Sequence, residues 1–537
     1  MKLIKKIAAI MFAFMMVFSL STNVKATSGS QTDGNKGAIT IRNAIKGEKY
    51  EIYKILDLES YSYDTDKEDG AYSYKLTRDN WANFFRTGGP GNKFVSIDGE
   101  YVKWKVNANK EAQAAELAKE ALKYAEDSNN GVVAVTASST TQDNGDGTET
   151  LTYTDLGLGY YLVDSSVGAL CCLTTTNHEA EIFEKNEKPN LKKYVNTYQA
   201  WHPNYADSNS LNKNTTNEIG DTVCFTAEID NFKGAENLVF TDIMDKGLSL
   251  CVGEHNHFLP HVNLVKKTAI ENVTNEDVIE LSMSTDWNTN VTTEGEKDKF
   301  TLEFTDEGYK KLERNYADYV LRISYYATVN KNAELNNVNT AQLNYGDSPN
   351  AIISTANVGV LSIPVLKTTI NNNGLKGAVF SLYAKSEDAN NGENPIEFKK
   401  DNELNETYRK ATNDETATVH EITTNDTGAF IFYGLKEGKY YLKEIKAPEG
   451  YNKLNKSIIV TVKKVEDEAK NITGYSLDYI YGETREDGAD KVKVINKTGS
   501  LLPSTGGKGT TLIYLIGGAL VLGSGFVLAN KKRAKSK

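Results

Sequence analysis

The chain has 537 residues, with 72 acidic against 61 basic side chains and a net charge of −11. That balance argues against nucleic acid as a partner and suits an extracellular surface. Four cysteines are too few to staple a chain of this size, so stability must come from something other than disulfides.

The first residues, Met1-Lys2-Leu3-Ile4-Lys5-Lys6, are basic, Ile7 to Leu20 are apolar, and Val24-Lys25-Ala26 places small residues at alternate positions. This pattern predicts a secretory signal over residues 1–26, cleaved after Ala26. Without it and the C-terminal signals, about 480 residues remain, enough for roughly three domains. Short alternating runs rich in Tyr and Thr, separated by Gly, Asn and Asp, predict mainly β-structure.

The first unit, residues 37–187, opens with "AITIRNA" and "YEIYKILDL" and closes with "GLGYYLVD". Between them Lys110 to Glu126 carries an apolar face of Ala114, Leu117, Ala118, Ala121, Leu122 and Ala125, which predicts a helix. An Asp-, Gly- and Thr-rich loop at Asp143 to Thr148 follows. The second unit, 188–360, contains "PNLKKYV", "IGDTVCFTAEI", "NLVFTDIMDKGL", "YVLRISYYATV" and "NTAQLNYG". The third, 361–500, contains "PVLKTTI", "LKGAVFSLYAK", "GAFIFYGLKEGKYYLKEIKAPEGY" and "VKVINKTG". The second and third read as immunoglobulin-like antiparallel β-sandwiches, the first as a β unit with an added helix. The whole is expected to be an elongated multi-domain rod.

Near the end, Leu502-Pro503-Ser504-Thr505-Gly506 precedes an apolar run from Thr511 to Ala529 and a basic tail, 530–537. The run is just long enough to cross roughly 30 Å of hydrocarbon at 1.5 Å per residue, and the cations place the tail on the cytoplasmic side. The pentapeptide resembles the LPXTG sorting signal of Gram-positive surface proteins. In that family a sortase cleaves between the residues matching Thr505 and Gly506 and passes the threonine carbonyl to an amine. "YYLKEIKAPEGYN", Tyr440 to Asn452, resembles the E-box of sortase-assembled pilins, and "LKGAVFSLYAK" resembles a strand of their collagen-adhesin-B-type domains. The chain as a whole resembles a Gram-positive backbone (major) pilin.

That resemblance implies intramolecular isopeptide bonds from Lys to Asn, promoted by a buried acid. The chemistry needs a neutral amine and a protonated carboxyl, and apolar burial favours both. Alternate strand residues share a face, so parity selects candidates. In the third unit Lys367 shares parity with Ile363 and Val365, Glu444 with Tyr440 and Leu442, and Asn496 with Val492 and Val494. In the second, Lys193 rather than Lys192 shares parity with Leu191 and Val195, Asp242 with Leu238 and Phe240, and Asn339 with Ala341, Leu343 and Tyr345. Glu228 falls out of register with Phe225 and is expected to be exposed. Each bond would tie a domain's first strand to its last. In the first unit the equivalent lysine slot holds Ile41, so no bond is expected there.

The resemblance also implies an acceptor lysine for polymerisation, which the family presents in a Tyr-Pro-Lys-Asn motif between its first two domains. Here "IFEKNEKPNLKK" occupies that place, with Glu184 in the proline position. This makes Lys185 the acceptor and Lys188 the nearby substitute. The implied partners are a pilin-type sortase, further copies of the chain head to tail, minor tip and base pilins, peptidoglycan and a host extracellular ligand. A wall-anchored monomeric adhesin is the alternative, and a third class is an extracellular enzyme. Against the latter, no Ser/His/Asp or paired-carboxylate constellation stands out. His255, His257 and His261 in "GEHNHFLPH" have the residue type for a metal, but a polar loop accounts for them more simply. No metal and no cofactor is expected. Cys171 and Cys172 are adjacent and would bridge only with strain, whereas Cys224 and Cys251 are either paired or buried thiols.

Overall fold

The computed structural model of the protein describes residues 27–30, 36–64, 69–105, 110–167, 172–175, 179–184, 186–197, 211–235, 237–252, 260–269, 273–346, 348, 350–401, 406–498 and 508–534. Over these residues the chain is mainly β and forms three successive pairs of sheets. The expected leader at 1–26 and the sorting motif at 502–506 lie outside the described residues.

In the first pair, "AITIRNA" lies within the strand Lys36–Ile45, with Ile39, Ile41 and Ala44 buried. The parity changes between Ile41 and Ala44 because a bulge intervenes, with Asn43 in the left-handed region at φ 57°, a conformation asparagine tolerates well. The expected helix spans Lys110–Glu126. Its apolar stripe buries Leu117, Ala118, Ala121 and Leu122 in one cluster with Trp81, Phe84 and Phe85. The last two aromatics and Trp81 come from a short helix, Trp81–Phe85, that the sequence pattern does not reveal. The Asp143 to Thr148 segment closes a hairpin between the strands Ser138–Asp143 and Thr148–Gly157.

The second pair packs two six-stranded sheets around Phe225, Phe240, Phe300, Tyr325 and Tyr345. One sheet pairs Asn190–Thr197 with Thr222–Asp230, and the latter with Tyr319–Val329. The other pairs Val239–Met244 with Asn337–Asn344. Two features differ from the sequence reading. A further strand, Ile352–Gly359, runs antiparallel to Asn337–Asn344, so the Asn339 strand is not the last. Its first half buries little, which hides it from a pattern search. Glu228, expected to be exposed, is buried and bonded to the fully buried Arg322 at 2.6 Å. The two face each other across adjacent strands, and Thr226, Ser324 and Asn263 are buried as well. Parity tells which face a residue takes, but not whether that face is covered.

The third pair begins one residue later. Leu361–Thr368 lies between Ala429–Leu435, antiparallel, and Val492–Ile495, parallel. The opposing sheet contains Gly438–Lys446. Contacts to the second pair include Ile219 N to Gly434 O at 3.1 Å, Lys410 Nζ to Ile219 O at 3.1 Å and Tyr440 Oη to Glu218 at 3.3 Å. The Lys464 ammonium also bonds the Asn214 amide. A terminal helix, Lys508–Ala534, covers the expected span Thr511 to Ala529 and exposes Ile513, Leu515, Ile516, Leu520, Val521 and Leu522. Among the described residues no helix is long and apolar enough to cross a membrane.

Candidate functional site

Lys367, Glu444 and Asn496 are all buried. Lys367 is on the strand that pairs in parallel with Val492–Ile495, directly beside Val494, and Asn496 follows two residues on. Glu444 reaches them from the opposite sheet. The Lys367 ammonium donates to Val494 O at 3.1 Å. Asn496 Nδ2 donates to both Glu444 oxygens, at 2.8 and 2.9 Å, and Leu454 N donates to the same carboxyl at 2.8 Å. Burial lowers the Lys367 amine from 10.5 to about 8, against the opposing pull of Glu444. Asn496 Oδ1 has no hydrogen-bond partner. A half-turn of the amide would bring that oxygen to the carboxyl in place of Nδ2.

The second cluster is arranged differently. Lys193, Asp242 and Asn339 are each fully buried. Lys193 comes from one sheet, while Asp242 and Asn339 come from adjacent strands of the facing sheet. Lys192, the rejected neighbour, is exposed. The Lys193 amine touches the Asp242 carboxyl and the Tyr325 hydroxyl, and it lies 5.2 Å from the centre of the Phe225 ring. Tyr325 Oη donates to Asp242 Oδ2, and Asn339 Nδ2 donates to Tyr325 Oη at 3.3 Å. Burial pushes the Lys193 amine down and the Asp242 carboxyl up, each against the pull of the other. Both shifts favour the neutral pair, amine beside carboxylic acid. Asp242 Oδ1 and Asn339 Oδ1 lack hydrogen-bond partners.

Tyr325 was missed by the sequence reading. "YVLRISYYATV" places it among apolar residues of its own parity, where a tyrosine reads as core. The only available signal was that a buried hydroxyl needs a partner.

Between the first and second sheet pairs, Lys185 lies outside the described residues. Its neighbour Glu184 is buried and accepts from Tyr50 Oη at 3.0 Å and from Asn186 N at 2.8 Å. Lys188 is half-exposed and bonds Glu48 at 2.9 Å. Glu48 also accepts from Tyr345 Oη and Ser166 Oγ, both at 2.8 Å. Leu502, Pro503, Ser504, Thr505 and Gly506 lie outside the described residues, as do His255, His257 and Cys171. His261 begins a strand, paired with Ser324. Cys224 and Cys251 are free thiols, both raised by burial, Cys224 to about 12.

Residues 362–476 match a family described as a prealbumin-like fold domain, SpaA, and residues 495–537 match the LPXTG cell wall anchor motif. Comparison with curated proteins finds no match. Among solved structures, the chain is similar to the T6 backbone pilin of serotype M6 Streptococcus pyogenes at 15% identity, covering 87% of this chain and 100% of that one, with a TM-score of 0.47. It is similar to the major pilin SpaA of Corynebacterium diphtheriae at 13% identity, covering 86% and 100%, with a TM-score of 0.46. A third is BcpA, the major pilin subunit of Bacillus cereus, at 14% identity, 87% and 100% coverage and a TM-score of 0.33. The anchor motif assigns the chain to the cell-wall surface.

Proposed function

We propose that this wall-anchored chain is the backbone subunit of a sortase-assembled pilus. It carries no enzyme activity beyond closing its own isopeptide bonds. After export and removal of residues 1–26, the anchor region at residues 495–537 retains the chain at the cell surface until a pilin-type sortase cuts after Thr505. The Thr505 carbonyl is then joined to Lys185 of the next copy, or to peptidoglycan at the base of the fibre. The domains are 37–187, 188–360 and 361–500, and the second and third each close one Lys–Asn bond.

The bond chemistry follows from the clusters. A neutral lysine amine attacks the asparagine Cγ, the buried acid supplies and recovers protons, and ammonia leaves. Holding the groups in contact supplies the effective concentration, so no external enzyme is needed. The observation that carries the proposal is that two buried lysines each share a cluster with a buried acid and asparagine, upstream of a wall-anchor motif. Cross-links of this kind suit a cysteine-poor protein outside the cell, because an amide cannot be reduced.

The test is a denaturing gel of wall extracts from the native host. The intact chain should give a ladder of very large covalent species, and Lys185→Ala should reduce it to monomer while attachment through Thr505 persists. A surviving ladder removes Lys185 from the acceptor role, with Lys188→Ala as the next test. A single wall-linked monomer band from the intact chain would instead overturn the pilus.

A further inference from the structure

The Tyr325 ring needs no special explanation. It stacks on Phe225 at 5.9 Å between centroids and meets Phe300 edge-on at 4.8 Å, and phenylalanine would fill that space equally well. The hydroxyl is the unusual part. It is buried in an aromatic core, which is costly unless the group is bonded, and its bonds go to Lys193 Nζ, Asp242 Oδ2 and Asn339 Nδ2. Two of these are the atoms between which the proposed reaction exchanges a bond.

The third domain offers a contrast. There Glu444, one methylene longer than aspartate, crosses from the facing sheet and takes both hydrogen bonds from the Asn496 amide itself. In the second domain Asp242 and Asn339 project from adjacent strands of one sheet, and the hydroxyl of Tyr325, from the opposite sheet, bridges them.

We infer that Tyr325 is a catalytic residue of the Lys193–Asn339 cross-link, relaying a proton from Asp242 to the departing amide nitrogen. This rests on the reading of the second cluster as a bond-forming site. Lys193 Nζ, as the free amine, attacks Asn339 Cγ, and the new C–N bond forms. The attack makes Nδ2 pyramidal and frees its lone pair, so the resting donor order reverses: the tyrosine proton passes to Asn339 Nδ2 while the proton of the Asp242 carboxylic acid passes from Oδ2 to Tyr325 Oη. The Cγ–Nδ2 bond then breaks, and nitrogen leaves as ammonia. The attacking nitrogen, positively charged after the attack, returns a proton to Asp242. The tyrosine and the acid end as they began, and no oxidant or further reactant is required. An acid in contact with the nucleophile can thus serve a leaving group that it reaches through a hydroxyl.

The full-length chain is synthesised cell-free and quenched at intervals, and peptide mapping follows the Lys193–Asn339 and Lys367–Asn496 joints separately. Tyr325→Phe should slow the first joint at least tenfold and leave the second at the wild-type rate, which also reports that the chain folds. A first-joint rate unchanged from wild type would overturn the inference. If Tyr325→Phe leaves the second domain protease-sensitive, 3,5-difluorotyrosine at position 325 decides, since it keeps the ring and hydroxyl but acidifies the phenol. The pH profile of the first joint should then move to lower pH, and an unmoved profile overturns the relay. A wild-type chain that joins only Lys367 to Asn496 removes the underlying reading of the second cluster, and the relay with it.

Discussion

Lys193 and Lys367 have no exposed surface, although lysine is among the residues least often found inside. Each sits one strand step from apolar residues of its own parity, and each has a buried acid and amide at hand. If both bonds form, the exported chain is lighter than its sequence by two ammonias. Glu444→Ala should abolish one of those losses and lower the melting temperature. In the entropic account, losing a cross-link over a loop longer than a hundred residues costs about 4–5 kcal/mol. An unchanged intact mass in that variant would remove Glu444 from its role. The lysine pKa gives a second test. In Asn496→Ala the bond cannot form, so Lys367 keeps an amine that titrates at about 8 when folded, against the ordinary 10.5 when unfolded. Between those values the unfolded chain holds the extra proton, so stability should rise with pH across that window. Below about 8 the full penalty applies, roughly 3 kcal/mol for a shift of this size. The cross-linked wild type has an amide there and should show no such slope. Denaturant melts of the two proteins from neutral to alkaline pH make the comparison, and parallel curves would mean that Lys367 is solvated.

The strands were legible where one face is apolar and the other wet. Lys193, Asp242, Asn339, Lys367, Glu444 and Asn496 all lie on the buried side that parity assigns them, and the Lys110–Glu126 helix spans the residues its apolar stripe marks. Legibility failed where burial has another cause. Glu228 lies on a covered outer face, opposite Arg322, and Ile352–Gly359 pairs through its backbone while half of its side chains stay wet. That last strand changes the mechanics. A Lys193–Asn339 bond would tie the first strand to the one before last, leaving the hairpin of Asn337–Asn344 and Ile352–Gly359 in series before Lys367. Asn339 faces Ala356, so force toward Leu361 opens the hairpin from its free end. Residues 340–360 would then release about 70 Å of contour at 3.3–3.6 Å per residue. The strand Asn214–Thr216, paired to Ile352–Gly359, and the contacts of Ile219 and Glu218 with the third domain resist that opening. Single-molecule pulling from Lys185 to Thr505 should show one short extension of about this length in the cross-linked chain, at a lower force in Glu218→Ala. A trace with no extension before the tether breaks would place the load elsewhere.

Along the whole molecule, if the proposed joints form, tension entering at Lys185 would meet Lys193 within a few residues, cross to Asn339, pass the hairpin to Lys367, cross to Asn496 and leave at Thr505. The proposed first domain, 37–187, would then hang beside the load path. Among its described contacts with the second domain, Glu48 binds Lys188 and Tyr345 across the joint and Ser166 on its own side, beside Glu187 N donating to Lys233 O at 3.0 Å and Val167 buried in the second core. Burial works to raise the Glu48 carboxyl, but the hydrogen bonds from Lys188, Tyr345 and Ser166 outweigh it and hold the pKa below the usual 4.5. A carboxyl depressed by folding stabilises the joint above 4.5, and that contribution fades as pH falls through the lowered value. Two consequences follow for one variant, Glu48→Ala. Small-angle scattering of the ectodomain at neutral pH should show the first domain sampling a wider range of angles, as the wild type should do only in stronger acid. Wall extracts should nevertheless show an undiminished polymer ladder, because neither the acceptor nor either cross-link depends on where the first domain points. A ladder lost together with the joint would mean that Glu48 and Lys188 present the acceptor segment to the sortase, placing the first domain in the assembly step rather than beside it.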